Sequence, residues 1–177
     1  MNSLPPDWFF RRRLGRLVIV AALTMLGFGL SGAAAPASPV VTVAEVEAAV
    51  EKFVRAFEKR DVEAVVACFT PDAIVFDPWP PGHFENTAGV RTLFNTALGQ
   101  MEKPSFTIGN AVTRVSGAIG WLTAQIAVGA EIDAKRDFAK AYLSMVWVKQ
   151  PDGACRISVF HATIYEAPGA AADPPKK

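Results

Sequence analysis

The chain has 177 residues, 51% of them hydrophobic and 20% charged, with 18 Lys and Arg against 17 Asp and Glu. That length and balance describe one globular domain with flanking segments, and the net charge of +1 excludes a polyanion binder, so no nucleic-acid partner is expected. Two cysteines make no disulfide scaffold, and two histidines without clustered ligands give no zinc-site pattern, so no metal is expected.

Residues 1–37 read as an export signal. Arg11, Arg12, Arg13 and Arg16 precede a 14-residue apolar run at 17–30, and the small-residue stretch 31–37 follows. A membrane span needs about 20 apolar residues, so no stable span is expected after cleavage. Cleavage after Ala37 satisfies the small-x-small pattern through Ala35 and Ala37. The adjacent arginines resemble a twin-arginine signal while Gly15 departs from one, which leaves the export route open between that pathway and the general one. The expected location is periplasmic or secreted. Without residues 1–37 the chain carries 14 basic and 16 acidic residues, a net charge of −2. The tail 168–177 is small, proline-rich and aperiodic, the composition of a disordered segment, which leaves 38–167 as the domain. In an oxidising compartment Cys68 and Cys155 either bridge or stay as two buried thiols.

The domain opens with helices. Thr42 followed by Glu45 forms a capping box, and Val46, Ala49, Val50, Phe53 and Phe57 share one stripe, which predicts a helix to about Arg60. Asp61 caps a second, shorter helix whose Val62, Val65, Val66 and Phe69 repeat the helical spacing, ending near Thr70 and Pro71. A strand at 73–77 follows, and alternation puts Asp77 on the inward face with Ala73 and Val75. A carboxylate at the inner end of an apolar strand costs free energy unless it is hydrogen-bonded, solvated by a cavity or protonated, which makes Asp77 the first candidate for chemistry. Its functional reading is a general base or acid. Its structural reading is an acceptor for backbone amides of the loop Pro80-Pro81-Gly82. Asn86 or Thr87 opens a third helix with Val90, Leu93, Phe94, Ala97, Leu98 and Met101 inward, closed by Lys103-Pro104.

Thereafter the period changes to two. Strands are predicted at 105–115, 118–132, 138–149 and 155–166, separated by a Ser116-Gly117 turn, a polar loop at 133–137 and a turn around Asp152-Gly153. Helices followed by long antiparallel strands make an α+β domain, with helices over one face of a curved sheet and a cavity at its open end. His161, near the end of the last strand, is a candidate to share a proton with Asp77 or orient a ligand. His83 reads as a solvated loop residue. Phe53, Trp79, Tyr142, Ser144 and Trp147 are candidate cavity walls, but alternation sets Tyr142 and Ser144 opposite Trp147, so only one of those sets faces inward.

Residues 53–78, running from Phe53 to Asp77-Pro78, resemble without a gap the opening helix pair and first strand of the ketosteroid isomerases. Trp147-Val148-Lys149, the Asp152-Gly153 turn, Arg156-Ile157 and His161 are similar to the closing hairpin of SnoaL-like domains. Over about residues 43–166 the chain therefore resembles the nuclear-transport-factor-2-like superfamily, in particular its SnoaL-like and ketosteroid isomerase-like members. The resemblance implies a cone-shaped, cystatin-like roll, three helices packed on a curved, mainly antiparallel sheet, together with a homodimer and no cofactor. It places Asp77 where such enzymes keep their proton-shuttling aspartate, and it implies that Tyr142 and Ser144 face the pocket, since Ser144 stands at or near a late-strand acid. Phe53 stands at the tyrosine which, with that acid, polarises the substrate carbonyl. A phenyl ring donates no hydrogen bond, and losing one such donor costs about 10²–10³ in rate, so efficient ketosteroid isomerisation is not expected.

Three functions follow as expectations. One is an exported enzyme of isomerase, cyclase or dehydratase type that moves a proton through Asp77 on a small apolar molecule, with Phe53, Trp79, Tyr142, Ser144 and His161 around it. Another is a non-catalytic binder of such a molecule. The last is an association module whose sheet pairs with a second copy.

Overall fold

A computed structural model of the chain describes residues 39–132 and 135–167, with the backbone alone for 131–132 and 135–137. The export signal read at 1–37 and the tail at 168–177 lie outside the described residues. The elements in order are α1 (Val43–Glu58), α2 (Val62–Val66), β1 (Phe69–Phe76), β2 (His83–Glu85), α3 (Asn86–Gly99), β3 (Glu102–Ser116), β4 (Ile119–Ile132), β5 (Lys135–Lys149) and β6 (Cys155–Glu166). Six strands form one sheet in the order β2-β1-β6-β5-β4-β3, antiparallel throughout except for the parallel β1–β6 pair. The three helices cover one face, as the α+β reading expects. No helix among the described residues is long and apolar enough to cross a membrane.

The helix starts follow local chemistry. Thr42 Oγ1 accepts from the Glu45 amide at 3.2 Å while the Glu45 carboxylate accepts from the Thr42 amide at 2.9 Å, the reciprocal cap predicted for α1. Asp61 Oδ1 accepts from the Ala64 amide at 2.9 Å and opens α2. Asn86, with φ at 57°, turns its side chain onto the amides of Ala88 and Gly89 and starts α3. The buried stripe of α1 is Val46, Val50, Phe53, Ala56 and Phe57, and that of α3 is Val90, Leu93, Phe94, Ala97 and Leu98.

Several boundaries differ from the sequence reading, among them the close of the third helix, which ends at Gly99 so that Lys103-Pro104 already lie inside β3. The second helix stops at Val66, because the Cys68 carbonyl already accepts from the Ile157 amide at 2.8 Å and commits the chain to the sheet. Pro71 then sits inside β1, where the β1–β6 register is interrupted between Phe69 and Ile74 and a missing N–H breaks no ladder bond. His83–Glu85, read as loop, returns as β2 against Ile74–Phe76. Of the polar stretch read as a loop, residues 135–137 are strand, since the β4–β5 ladder runs from Ile119↔Val148 to Ile132↔Lys135. Both cysteines are free thiols, Cys68 buried and Cys155 partly so.

Alternation gives each strand an inner face under the helices and an outer face. On β5 the inner residues are Ala141, Leu143, Met145 and Trp147, while Tyr142 and Ser144 are exposed. Helix α1 lies so close to β4 that a Cβ placed at Gly120 would stand 2.5 Å from Cγ2 of the fully buried Val46. Valine is stiff at χ1 and cannot swing away. Gly120→Ala is therefore expected to destabilise the domain by about 1–3 kcal/mol in denaturant unfolding. Gly99→Ala, in the last turn of α3 with nothing within 4 Å of its added Cβ, should be neutral or stabilising by up to about 1 kcal/mol.

Candidate functional site

A cavity of about 340 Å³ opens between the helices and the sheet at the end reached by β1 and by the last turn of α3. Its helix-side wall comes from Phe57, Leu93, Phe94, Ala97, Gln100 and Met101, and its lip from Asp77, Pro78 and Trp79. The sheet supplies Phe106, Ile126, Val128, Phe160 and Ile164 with a run of small residues, Gly129, Ala130, Ala139, Ala141 and Ala162. Those small residues create the room. Ala141 pairs with Ile126 on one side and Ile164 on the other, and Ala139 pairs with Val128, so the floor stays low opposite bulky helical side chains.

Asp77 stands on this lip because β1 ends at Phe76 and the chain must reverse into β2. The Asp77 amide donates to the Gly82 carbonyl at 3.1 Å, and the Gly82 amide donates to the Trp79 carbonyl at 2.8 Å. Gly82 has φ at 86°, a left-handed conformation that a side chain would strain. Within that turn, Asp77 Oδ1 accepts from the Trp79 amide at 2.9 Å; the loop bond anticipated from Pro80-Pro81-Gly82 is not made, since prolines carry no N–H and the Gly82 amide is given to the Trp79 carbonyl. Burial raises the Asp77 pKa above the ordinary aspartate value, and the Trp79 amide opposes that rise. Among the described lining residues Asp77 is the sole ionisable side chain, and Gln100 adds a carboxamide at the exposed mouth.

The sequence-predicted site residues divide. Asp77 and Trp79 line the cavity. Phe53 does not: it is wholly buried behind Phe57, Phe94, Phe106 and Phe160, with ring centroids 5.5–6.4 Å away, and those four rings face the cavity instead. The placement of Tyr142 and Ser144 toward the pocket is corrected. The set opposite them, containing Trp147, points inward, and Tyr142 lies on the outer face, 56% exposed and 4.6 Å from the Tyr165 ring. His161 shares that outer face, in register with Ser144 and Phe76, and its Nε2 lies 3.1 Å from Thr163 Oγ1. It is thus separated from the Asp77 side of the sheet. His83 stacks on Phe76 at 4.9 Å, again outside. Among the described residues no three potential metal ligands cluster.

Sequence reasoning missed Gln100 and the alanine floor. The floor did leave a signal, in two alanines, Ala139 and Ala141, spaced by two on a strand whose later inward positions are large.

The raised Asp77 pKa makes a signed prediction. A carboxyl that holds its proton more tightly folded than unfolded adds stability below the ordinary aspartate pKa of 3.8, and loses that contribution as pH rises through the higher folded value. Asp77→Asn removes the ionisation while its amide oxygen still accepts from Trp79. The variant should therefore be as stable as wild type or more so at neutral pH, with the advantage fading as pH falls toward the ordinary aspartate value and gone below about pH 4. Urea unfolding of both proteins across that range measures it; a loss of about 1–3 kcal/mol at neutral pH would make Asp77 a loop-holding residue.

Comparison with known proteins agrees with this architecture. The family model described as a SnoaL-like domain matches residues 50–139. No curated protein matches the chain. Similar solved structures include a proposed dehydratase of the nuclear-transport-factor-2-like family from Streptomyces avermitilis, 18% identical with a TM-score of 0.62, covering 71% of this chain and 97% of that one. A proposed aromatic ring hydroxylase from Novosphingobium aromaticivorans is 14% identical with a TM-score of 0.63, covering 71% and 90%. A nuclear-transport-factor-2-like protein with a cystatin-like fold from the same organism is 13% identical with a TM-score of 0.61, covering 72% and 84%. At these identities the structures speak for the fold alone, a nuclear-transport-factor-2-like, cystatin-like one, while the family match spans half the sequence: the chain belongs to the family of SnoaL-like domains.

Proposed function

We propose that this chain, exported by its amino-terminal segment, binds a small and largely apolar molecule in the cavity, with Asp77 meeting the polar end of that molecule. One observation carries the reading: about 340 Å³ of space walled by apolar side chains contains a single carboxyl group, on its lip. A neutral fluorescent probe, N-phenylnaphthylamine, should bind saturably at one site per chain. Ala141→Phe, which raises a ring from the low floor, should abolish that binding, whereas Asp77→Asn should retain it. Binding untouched by Ala141→Phe would remove the cavity from consideration.

The raised proton affinity of Asp77 favours a second reading, a proton-transfer enzyme of isomerase, cyclase or dehydratase type with this residue as base or acid. The donors that would polarise a carbonyl are not supplied by Phe53, Tyr142 or Ser144, so turnover would rest on Asp77 with little electrophilic help. Deuterium incorporation next to the carbonyl of a cyclic ketone, followed by NMR and lost in Asp77→Asn, would establish it. No exchange above buffer for any ketone that binds would leave the binding reading alone.

A second copy is the proposed partner. The outer sheet face exposes Ile74, Phe76, Trp121 and Tyr142, each by 39% or more, and Lys140 on that face is already paired with Glu166 at 3.0 Å, so two such faces meet without uncompensated repulsion from it. Light scattering should give the mass of two chains, falling toward one on dilution, and Trp121→Glu should yield monomers that still bind the probe. A wild-type monomer at every attainable concentration would exclude the pairing.

A further inference from the structure

We propose that the cavity selects an apolar organic cation: an amine carried on an aromatic or alicyclic body, paired through its ammonium group with the Asp77 carboxylate and faced by the aromatic walls. The inference rests on the small-molecule reading above and adds the charge of the ligand.

The first observation is electrostatic. Asp77 has no cationic neighbour among the described lining residues, and its Oδ2 has no hydrogen-bond partner among the described residues, Oδ1 alone being held by the Trp79 amide at 2.9 Å. A ligand filling this space displaces the water that solvates Oδ2. An anion would then meet a like charge in a medium of low polarity, with no counter-charge to offset it. A neutral body without a donor would strip the carboxylate and return nothing. A protonated amine returns both a charge and N–H donors, and a charge-assisted bond of that kind is about twice as strong as a neutral one. The Gln100 carboxamide oxygen, at the mouth, is an acceptor for a further N–H.

The second observation concerns the walls. Phe57, Trp79, Phe94, Phe106 and Phe160 all border the same space, so a ligand anchored at Asp77 extends along aromatic walls rather than aliphatic groups alone. A cation within about 6 Å of an aromatic face gains roughly 0.5–2 kcal/mol, more when water is excluded. Aromatic walls around one unpaired carboxylate suit an amine better than an alcohol or a ketone. A ring-bearing amine also fits in about 340 Å³.

Calorimetric titration of the purified chain with three probes of nearly equal shape and different charge tests this: naphthylmethylamine, naphthylmethanol and naphthoate, at neutral pH. The amine should bind at least tenfold more tightly than the alcohol, and naphthoate should give no saturable heat. In Asp77→Asn the amine should lose its advantage, falling to the level of the alcohol measured in the same variant. The wild-type series stands by itself if that variant does not fold. An alcohol that binds as tightly as the amine, or an amine preference that survives Asp77→Asn, overturns the inference and leaves the cavity reading intact. If none of the three binds and N-phenylnaphthylamine also fails, both fall together.

Discussion

Phe53 of α1 meets Phe69 of β1, Phe94 of α3, Phe106 of β3 and Phe160 of β6, with ring centroids 5.5–6.1 Å apart and several pairs edge to face. One side chain thus ties two helices to strands at the edge and the centre of the sheet, in pairs each worth about 0.5–1.5 kcal/mol beyond the area they bury. The same cluster decides how deep the cavity runs. Phe57, Phe94, Phe106 and Phe160 stand against Phe53 and also form cavity wall, so the space stops at rings where a polar group at position 53 would have had to reach through them. Core and site are two sides of one aromatic layer.

That layer bears on what chemistry the site supports. A proton acceptor accelerates a reaction most when a fixed donor stabilises the charge it creates. Here the acceptor is on the lip, in a turn closed by Gly82, and the rest of the described lining is apolar apart from Gln100 and the Trp79 indole. Recognition needs only what is present: low floor, aromatic walls and one carboxyl. Catalysis would need the ligand to bring its own electrophile.

Much of this was legible in the sequence because it rests on short-range rules. The caps at Thr42 and Asp61 are set by contacts three residues apart, the helical stripes by a fixed period, and the inward face of Asp77 by its distance of two from Val75. The face of β5 was not legible. A period of two says that Tyr142 and Trp147 oppose each other but not which lies under the helices, and likeness to the isomerases pointed the wrong way. Nor was β2, since three residues beside a proline-rich loop gain their strand geometry only from the neighbouring Ile74–Phe76. The alanines of the floor read as filler in a sequence, because empty space has no residue to announce it.

β6, the last strand in the chain, does not lie at an edge. It sits between β1 and β5, parallel to one and antiparallel to the other. Before Cys155–Glu166 has been synthesised, β2-β1 and β5-β4-β3 are two ladders with no backbone bond joining them, and Phe53 lacks one of its rings. Pairings of such long sequence separation form late and slowly. The sheet therefore closes only when β6 slots between the two ladders, so one twelve-residue strand is the seam along which the domain is sealed and along which it would first part.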